Sequence, residues 1–119
     1  MPVLKIDEGK SVGGFQKDFT TLFPFLKIEF FKPLLNPSDS KNYKTGPLLA
    51  SNFPLSKDSI SVNLSPSTTV AQLKAIVLEK TGILCLVYRK SGSMWIETSL
   101  TEDWSLERQN HEAELMNNH

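Results

Sequence analysis

Two stretches of this chain carry the same order of strand, cap, helix and strand, and this internal echo limits the fold more than any other feature. Phe25-Leu26-Lys27-Ile28-Glu29-Phe30-Phe31-Lys32 reads as a strand, with Leu26, Ile28 and Phe30 on one face and Lys27, Glu29 and Phe31 on the other. Its counterpart is Ile83-Leu84-Cys85-Leu86-Val87-Tyr88-Arg89-Lys90, an almost wholly apolar run that reads as a covered strand. A shift of 58 positions lays the two copies on each other without a gap. Leu4 falls on Val62, Ser11 on Thr69, Val12 on Val70, Phe15 on Leu73, Phe19 on Val77, Leu26 on Leu84 and Ile28 on Leu86.

Each copy opens on a short alternating strand, Leu4 and Ile6 in the first, Ile60, Val62 and Leu64 in the second. Ser11 and Thr69 (or Thr68) are N-cap residues, because a hydroxyl there accepts from an orphan N–H of the first turn. Apolar residues then recur at helical spacing: Val12, Phe15, Phe19 and Leu22, and later Val70, Leu73, Ile76 and Val77. Gly13 and Gly14 weaken the first helix by about 1 kcal/mol each against alanine. Pro24 ends it, and Gly82 closes the second.

The pattern predicts a single α+β domain over 1–119, with repeat units at 2–32 and 60–90. The two β-α-β units are expected to share one ferredoxin-like sheet with both helices on one face. Ser91-Gly92 should turn Ile83–Lys90 into a hairpin with Met94–Thr98, and a short helix is expected from about 101 to 114, within a closing segment 91–116. Between the units lies an insert, 33–57, punctuated by Pro33, Pro37, Pro47 and Pro54. Leu34, Leu35, Tyr43, Leu48, Leu49, Phe53 and Leu55 make it too apolar for a solvated linker, so part of it should pack on the domain.

Composition narrows the function by exclusion. Thirteen Lys and Arg balance thirteen Asp and Glu, whereas a general nucleic-acid binder carries a basic excess. The expected outward residues of the first strands, Lys5, Asp7, Ser61 and Asn63, offer no ring on which a base would stack. Lys32, Lys57, Arg89 and Lys90 read as solvated strand ends. The N-terminal residues show no basic then apolar leader pattern, and no apolar run approaches the roughly 20 residues of a membrane span. With one cysteine, Cys85, no intramolecular disulfide forms. A cytoplasmic protein without membrane contact is the expectation.

No catalytic constellation emerges. Gly9-Lys10-Ser11 sits where a phosphate loop would, but the glycine such a loop needs five positions earlier is Leu4, so the stretch reads as a helix cap. His111 and Glu114 are spaced to share a metal on a helix, yet two ligands near a chain end do not complete a site. His119 is the only other histidine. Cys85 reads as a small buried hydrophobe, and the scattered carboxylates Asp7, Glu8, Asp18, Glu97, Glu102 and Asp103 have no spacing that demands acid–base work. No cofactor, metal ligand or catalytic residue is assigned.

Two resemblances add to this. Thr68-Thr69-Val70-Ala71-Gln72-Leu73-Lys74, Lys80-Thr81-Gly82-Ile83 and Ser105-Leu106 resemble a ubiquitin-type β-grasp over 58–106, which makes that fold the alternative architecture. Without a terminal Gly-Gly, the resemblance does not imply conjugation or sulfur-carrier chemistry. Phe23-Pro24-Phe25-Leu26-Lys27-Ile28-Glu29-Phe30-Phe31 and Asp103-Trp104-Ser105-Leu106-Glu107-Arg108-Gln109-Asn110 resemble a family of small bacterial proteins of unassigned function, which implies a stand-alone small protein and no particular site.

What remains is surface. Tyr43 and Phe53 in the insert, and Trp95 and Trp104 beside the last strand, are the candidate partner-binding residues, since aromatic anchors on loops are enriched at binding sites. The expected function is a small non-enzymatic module that binds a protein or a second copy of itself, through 33–57 or the edge at 94–98. The alternative is an enzyme or small-ligand binder with its site between the insert and the sheet.

Overall fold

The computed structural model describes residues 3–6, 10–36, 39–55 and 60–117, and the side chains of 3–6, 34–45, 60, 61 and 63 lie outside that description. Asp7, Glu8, Gly9, Lys57 and His119 fall outside it as well. In chain order the elements are β1 (Val3–Ile6), α1 (Val12–Leu22), β2 (Leu26–Asn36), β3 (Asp39–Leu48), β4 (Ile60–Asn63), α2 (Val70–Thr81), β5 (Leu84–Ser91), β6 (Met94–Glu97) and α3 (Leu106–Asn117), with a 3-10 turn at Ser99–Thr101. The α+β class expected from the sequence holds.

The strands do not share one sheet. β1 pairs antiparallel with β4 as a two-stranded sheet, while β3-β2-β5-β6 form a four-stranded antiparallel sheet. Each unit therefore sends its first strand to one sheet and its second to the other. Every strand that leaves a unit pairs with the same strand of the other unit: Leu4 lies opposite Val62, and Ile28 opposite Val87. These opposed residues are equivalents, which places a pseudo-two-fold axis through both pairs.

The gap-free alignment needs one correction. α2 is twelve residues long and α1 eleven, so beyond the helices the equivalence moves by one, Leu26 onto Cys85 and Ile28 onto Val87. Leu26, Ile28, Phe30, Cys85 and Val87 all enter the core, whereas Leu84 and Leu86 are half-buried on the opposite face. β5 is thus an alternating strand with one open face and not a covered one.

The second correction concerns the insert. β2 runs on through Pro33 to Asn36 and turns into β3, so most of 33–57 is the first unit's own hairpin, the counterpart of β5–β6. Proline is tolerated because the ladder shifts register between Phe31 and Pro33. The chain after β3 then returns to the helix of its own unit. Val12 N–H donates to Phe53 O at 2.8 Å, Gly13 N–H to Ser51 O at 2.8 Å, and Leu55 N–H to Lys10 O at 2.9 Å. In the second unit Val70 N–H donates to Trp104 O at 3.2 Å, Ala71 N–H to Glu102 O at 2.9 Å, and Leu106 N–H to Thr68 O at 2.8 Å. The repeat is therefore strand, helix, hairpin and cap loop, a longer unit than the spacing of the first strands reveals.

That return also explains why α3 starts at Leu106 and not near 101. Residues 102–105 carry the carbonyls that cap α2, and the helix begins only beyond them, with Ser105 Oγ accepting from Arg108 N–H at 3.0 Å. Ser11 and Thr69 are the N-caps expected: each side chain accepts from the third residue of its helix at 3.1 Å. Thr69 and Gln72 complete a capping box. Gly82 ends α2 in the left-handed region, φ 71°.

The core lies between the helices and the inner faces of the sheets. Phe15 meets Phe30 edge to face, ring centres 5.6 Å apart, a geometry that contributes about 0.5–1.5 kcal/mol beyond area burial. Leu55 and Leu106, the residues that follow the two cap loops, are both buried. Among the described helices none is long and apolar enough to cross a membrane.

The cap loop distinguishes the two glycines of α1. A Cβ at Gly13 would stand 3.1 Å from Ser51 Cβ and 3.2 Å from Ser51 O, whereas at Gly14 the nearest atom, Ser11 Oγ, is 3.4 Å away. Gly14→Ala is expected to gain about 0.5–1 kcal/mol of stability from helix propensity, and Gly13→Ala to gain less than that or lose, in denaturant titrations run side by side. Equal gains from both would show that Ser51 does not hold its place.

Candidate partner-binding surface

The four-stranded sheet has a covered face and an open one. The helices pack on the side of Leu26, Ile28, Phe30, Cys85 and Val87. The other side carries Lys27, Glu29 and Phe31 from β2, Leu84, Leu86 and Tyr88 from β5, and Trp95 and Glu97 from β6, by the alternation of the paired strands. A polar cluster forms at its centre. Lys27 Nζ lies 3.2 Å from Glu29 Oε1, 5.2 Å from the Tyr88 ring centre and 5.0 Å from that of Trp95. One ammonium thus joins an ion pair to two ring faces, each cation–π contact being worth about 0.5–1 kcal/mol at exposed sites. Burial, followed by the nearby Glu29 and Glu97 carboxylates and a hydrogen bond with Glu29, raises the Tyr88 pKa.

The free edges of this sheet differ. Before β3 begins, β2 has carbonyls with no strand beside them, and α1 covers these: Gln16 Nε2 donates to Ile28 O at 2.8 Å and Thr20 Oγ1 to Leu26 O at 3.2 Å. β3 carries Lys41, Lys44, Gly46 and Pro47, residues that discourage a further strand from joining. β6, Met94-Trp95-Ile96-Glu97, has neither lysine nor proline. Its three apolar side chains are 68%, 38% and 39% exposed, and Leu100 just beyond is 97% exposed. Thr98 N–H donates to Val87 O, so in the alternation of an antiparallel ladder Met94 and Ile96 bond inward to β5, and the N–H groups of Trp95 and Glu97 point outward. Gly92, at φ 61°, takes the first central position of the two-residue turn that sets this register.

The four aromatic candidates do not converge. Tyr43 is on β3, opposite Leu35, at the far edge from Trp95; its side chain lies outside the description. Phe53 and Trp104 are equivalents, each the residue whose carbonyl caps a helix. Arg108 stacks on the Trp104 ring at 3.8 Å and Arg89 approaches it at 5.7 Å. Arg89 Nη1 in turn donates to buried Gln109 Oε1 at 3.3 Å, and Gln109 Nε2 donates to Thr101 O at 2.8 Å. Trp104 is thereby tied into the joint between β5 and α3. Phe53 is 41% exposed and lines an apolar groove of about 320 Å³ with Lys32, Pro33, Leu49, Gly82 and Ile83.

Val12, Gly13 and Gly14 N–H groups, the donors an anion would need, are taken by Phe53 O, Ser51 O and Ser11 Oγ, and Lys10 pairs with Asp18. A phosphate therefore meets no free donor in the first turn of α1. His111 and Glu114 line an open cleft of about 610 Å³ together with Leu22, Phe23, Glu107 and Arg108. Among the described residues no group of three or more His, Cys, Asp or Glu side chains is arranged to hold a metal ion. The exposed β6 edge was legible in advance as Met94–Thr98. The open face was not, because Leu84 and Leu86 read as covered.

Cys85 is buried, and burial pushes its thiol pKa up to about 12 from 9.0. An unfolded chain loses this proton at lower pH than the folded one, so the unfolded state binds fewer protons and stability falls as pH rises from about 9 to 12. Over that window wild type should lose stability more steeply than Cys85→Ala, by up to about 1.4 kcal/mol per pH unit. Parallel slopes in denaturant melts would show an accessible thiolate.

No protein-family model, no curated protein and no solved structure matches this chain.

Proposed function

We propose that the chain is a non-enzymatic protein-binding module that accepts an extended segment, of a second copy or of a partner protein, along β6. The observation that carries this reading is the contrast between edges. α1 side chains cover the exposed carbonyls of β2, and lysine, glycine and proline mark β3, but β6 leaves outward N–H groups beside Met94, Trp95 and Ile96. Backbone pairing supplies affinity in such an arrangement, and alternate side chains supply selectivity. An incoming strand extends the open face, so that its own alternate residues continue the surface of Tyr88 and Trp95.

The rival reading, an enzyme or small-ligand binder, expected a site between the 33–57 stretch and the sheet. The groove there is lined by Pro33, Leu49, Phe53, Gly82 and Ile83 with one charge, Lys32, so among the described residues it carries no convergent set of polar groups to orient a small polar ligand.

The test is an amide NMR titration in two arms: dilution of the protein over a hundredfold range, and addition of an alternating Val/Thr hexapeptide. One arm or the other should move the Met94–Glu97 resonances of wild type, and Glu97→Pro, which removes an outward N–H while sparing the β5 ladder, should reduce the response at least tenfold. Silence at β6 in both arms overturns the reading, and shifts confined to Glu107–Glu114 would direct attention to the cleft beside α3.

A further inference from the structure

The pseudo-two-fold relation is broken by one element. After Leu106 the second unit continues into α3, twelve residues long. After the equivalent Leu55, the first unit has four residues, 56–59, before β4 begins. Four residues cannot supply a helix of that length. Among the described residues the first unit therefore has no counterpart of α3 to lay on its own seat.

The seat can be located by equivalence. α3 anchors to the end of β5, where Asn117 Nδ2 donates to Lys90 O at 2.8 Å and its Oδ1 accepts from Gly92 N–H at 2.7 Å. It anchors to the start of β2, where Asn110 Oδ1 accepts from Phe25 N–H at 2.8 Å. It stacks Arg108 on Trp104, and borders the C-cap of α1, Phe23. The equivalents of Gly92, Trp104 and Phe23 in the other half are Pro33, Phe53 and Gly82. All three line the apolar groove of about 320 Å³, with Leu49 and Ile83 between them and Lys32 at the rim. The groove is the seat of α3 repeated in the first half, without its helix.

We infer that this groove takes an amphipathic α-helix from a partner protein. The inference rests on the reading of the chain as a protein-binding module but uses a different surface from β6. The occupant is identified by what fills the equivalent seat: a helix of about three turns with small and medium apolar residues on its buried face, as α3 buries Leu106 and Ala113. Its apolar positions recur at i, i+3 or i+4 and i+7. Lys32 is the one charged residue of the lining, so an acidic residue on the flank of the incoming helix is favoured. A second copy is a poorer occupant, because its α3 already buries that face against its own sheet.

The experiment selects from a phage-displayed library of 14-residue amphipathic peptides against the full chain and then titrates the enriched peptides as synthetic probes. Peptides that gain helical circular dichroism on binding and shift the amides of Lys32, Phe53, Gly82 and Ile83 support the inference. Phe53→Asp should weaken them at least tenfold, and Glu97→Pro should leave them unchanged. Lys32→Glu, at the exposed rim, should weaken acidic peptides about two- to fivefold and serves where Phe53→Asp alters the spectrum elsewhere. Enriched peptides that bind extended along β6 overturn the groove and leave the module standing. Enrichment of none, or affinity indifferent to both groove variants, overturns it outright. A dimer that Phe53→Asp disperses would assign the groove to a second copy and so also overturn it.

Discussion

The rest of this structure depends on backbone carbonyls delivered to helix starts. An α-helix begins with N–H groups that have no partner inside it, and a buried start must find them elsewhere. Here α1 and α2 each receive two carbonyls from a loop that has first travelled through a complete hairpin: Phe53 and Ser51 for α1, Trp104 and Glu102 for α2. Those bonds fix where the hairpins end, how the units close and where the next element begins. Leu55 and Leu106 are buried because the loop that caps must then turn inward. The segment that caps each of these two helices thus also delivers a residue to the core.

Much of this was legible in the residues and some was not. Helical spacing, the hydroxyl caps Ser11 and Thr69 and the stop signals Pro24 and Gly82 are local properties, and they placed both helices. The inward face of β2 was equally plain, because Lys27 and Glu29 alternate with Leu26, Ile28 and Phe30. β5 misled because Leu84 and Leu86 are as apolar as their buried neighbours Cys85 and Val87. An open face tiled by aliphatic residues looks like a second buried one when period is the only guide. Pro33 misled because a proline inside a strand normally argues against it, and the register shift that admits it is a property of the pair. Carbonyl caps carry no side-chain signature, so the return of Ser51–Leu55 and Glu102–Leu106 left no mark beyond an aromatic followed two positions later by leucine.

The candidate surface divides along the same line. Met94, Trp95 and Ile96 could be recognised as an edge from composition, whereas the groove at Phe53 follows only from the symmetry of the fold. That symmetry also separates residues that sequence alone groups together. Phe53 and Trp104 answer to each other across the axis, one with its ring half in solvent and one held against Arg108. The difference between them is the presence of α3 beside one and its absence beside the other. Neither aromatic character nor loop position distinguishes the two.

The pseudo-two-fold pairing has a consequence for synthesis. β1 waits for β4 and β2 waits for β5, so the first half emerges with a complete hairpin and helix but no cross-axis strand to close its sheets. About 59 residues separate Ile28 from its partner Val87, which at roughly 5–20 residues per second is on the order of 3–12 s of translation. During that interval Phe15, Phe19 and Phe30 have only their own unit to shelter against. Until β4 and β5 emerge, the nascent first half keeps β1 and the inner stretch of β2 without their cross-axis partners, and unpaired strand edges of that kind are what make a partly folded chain prone to aggregate.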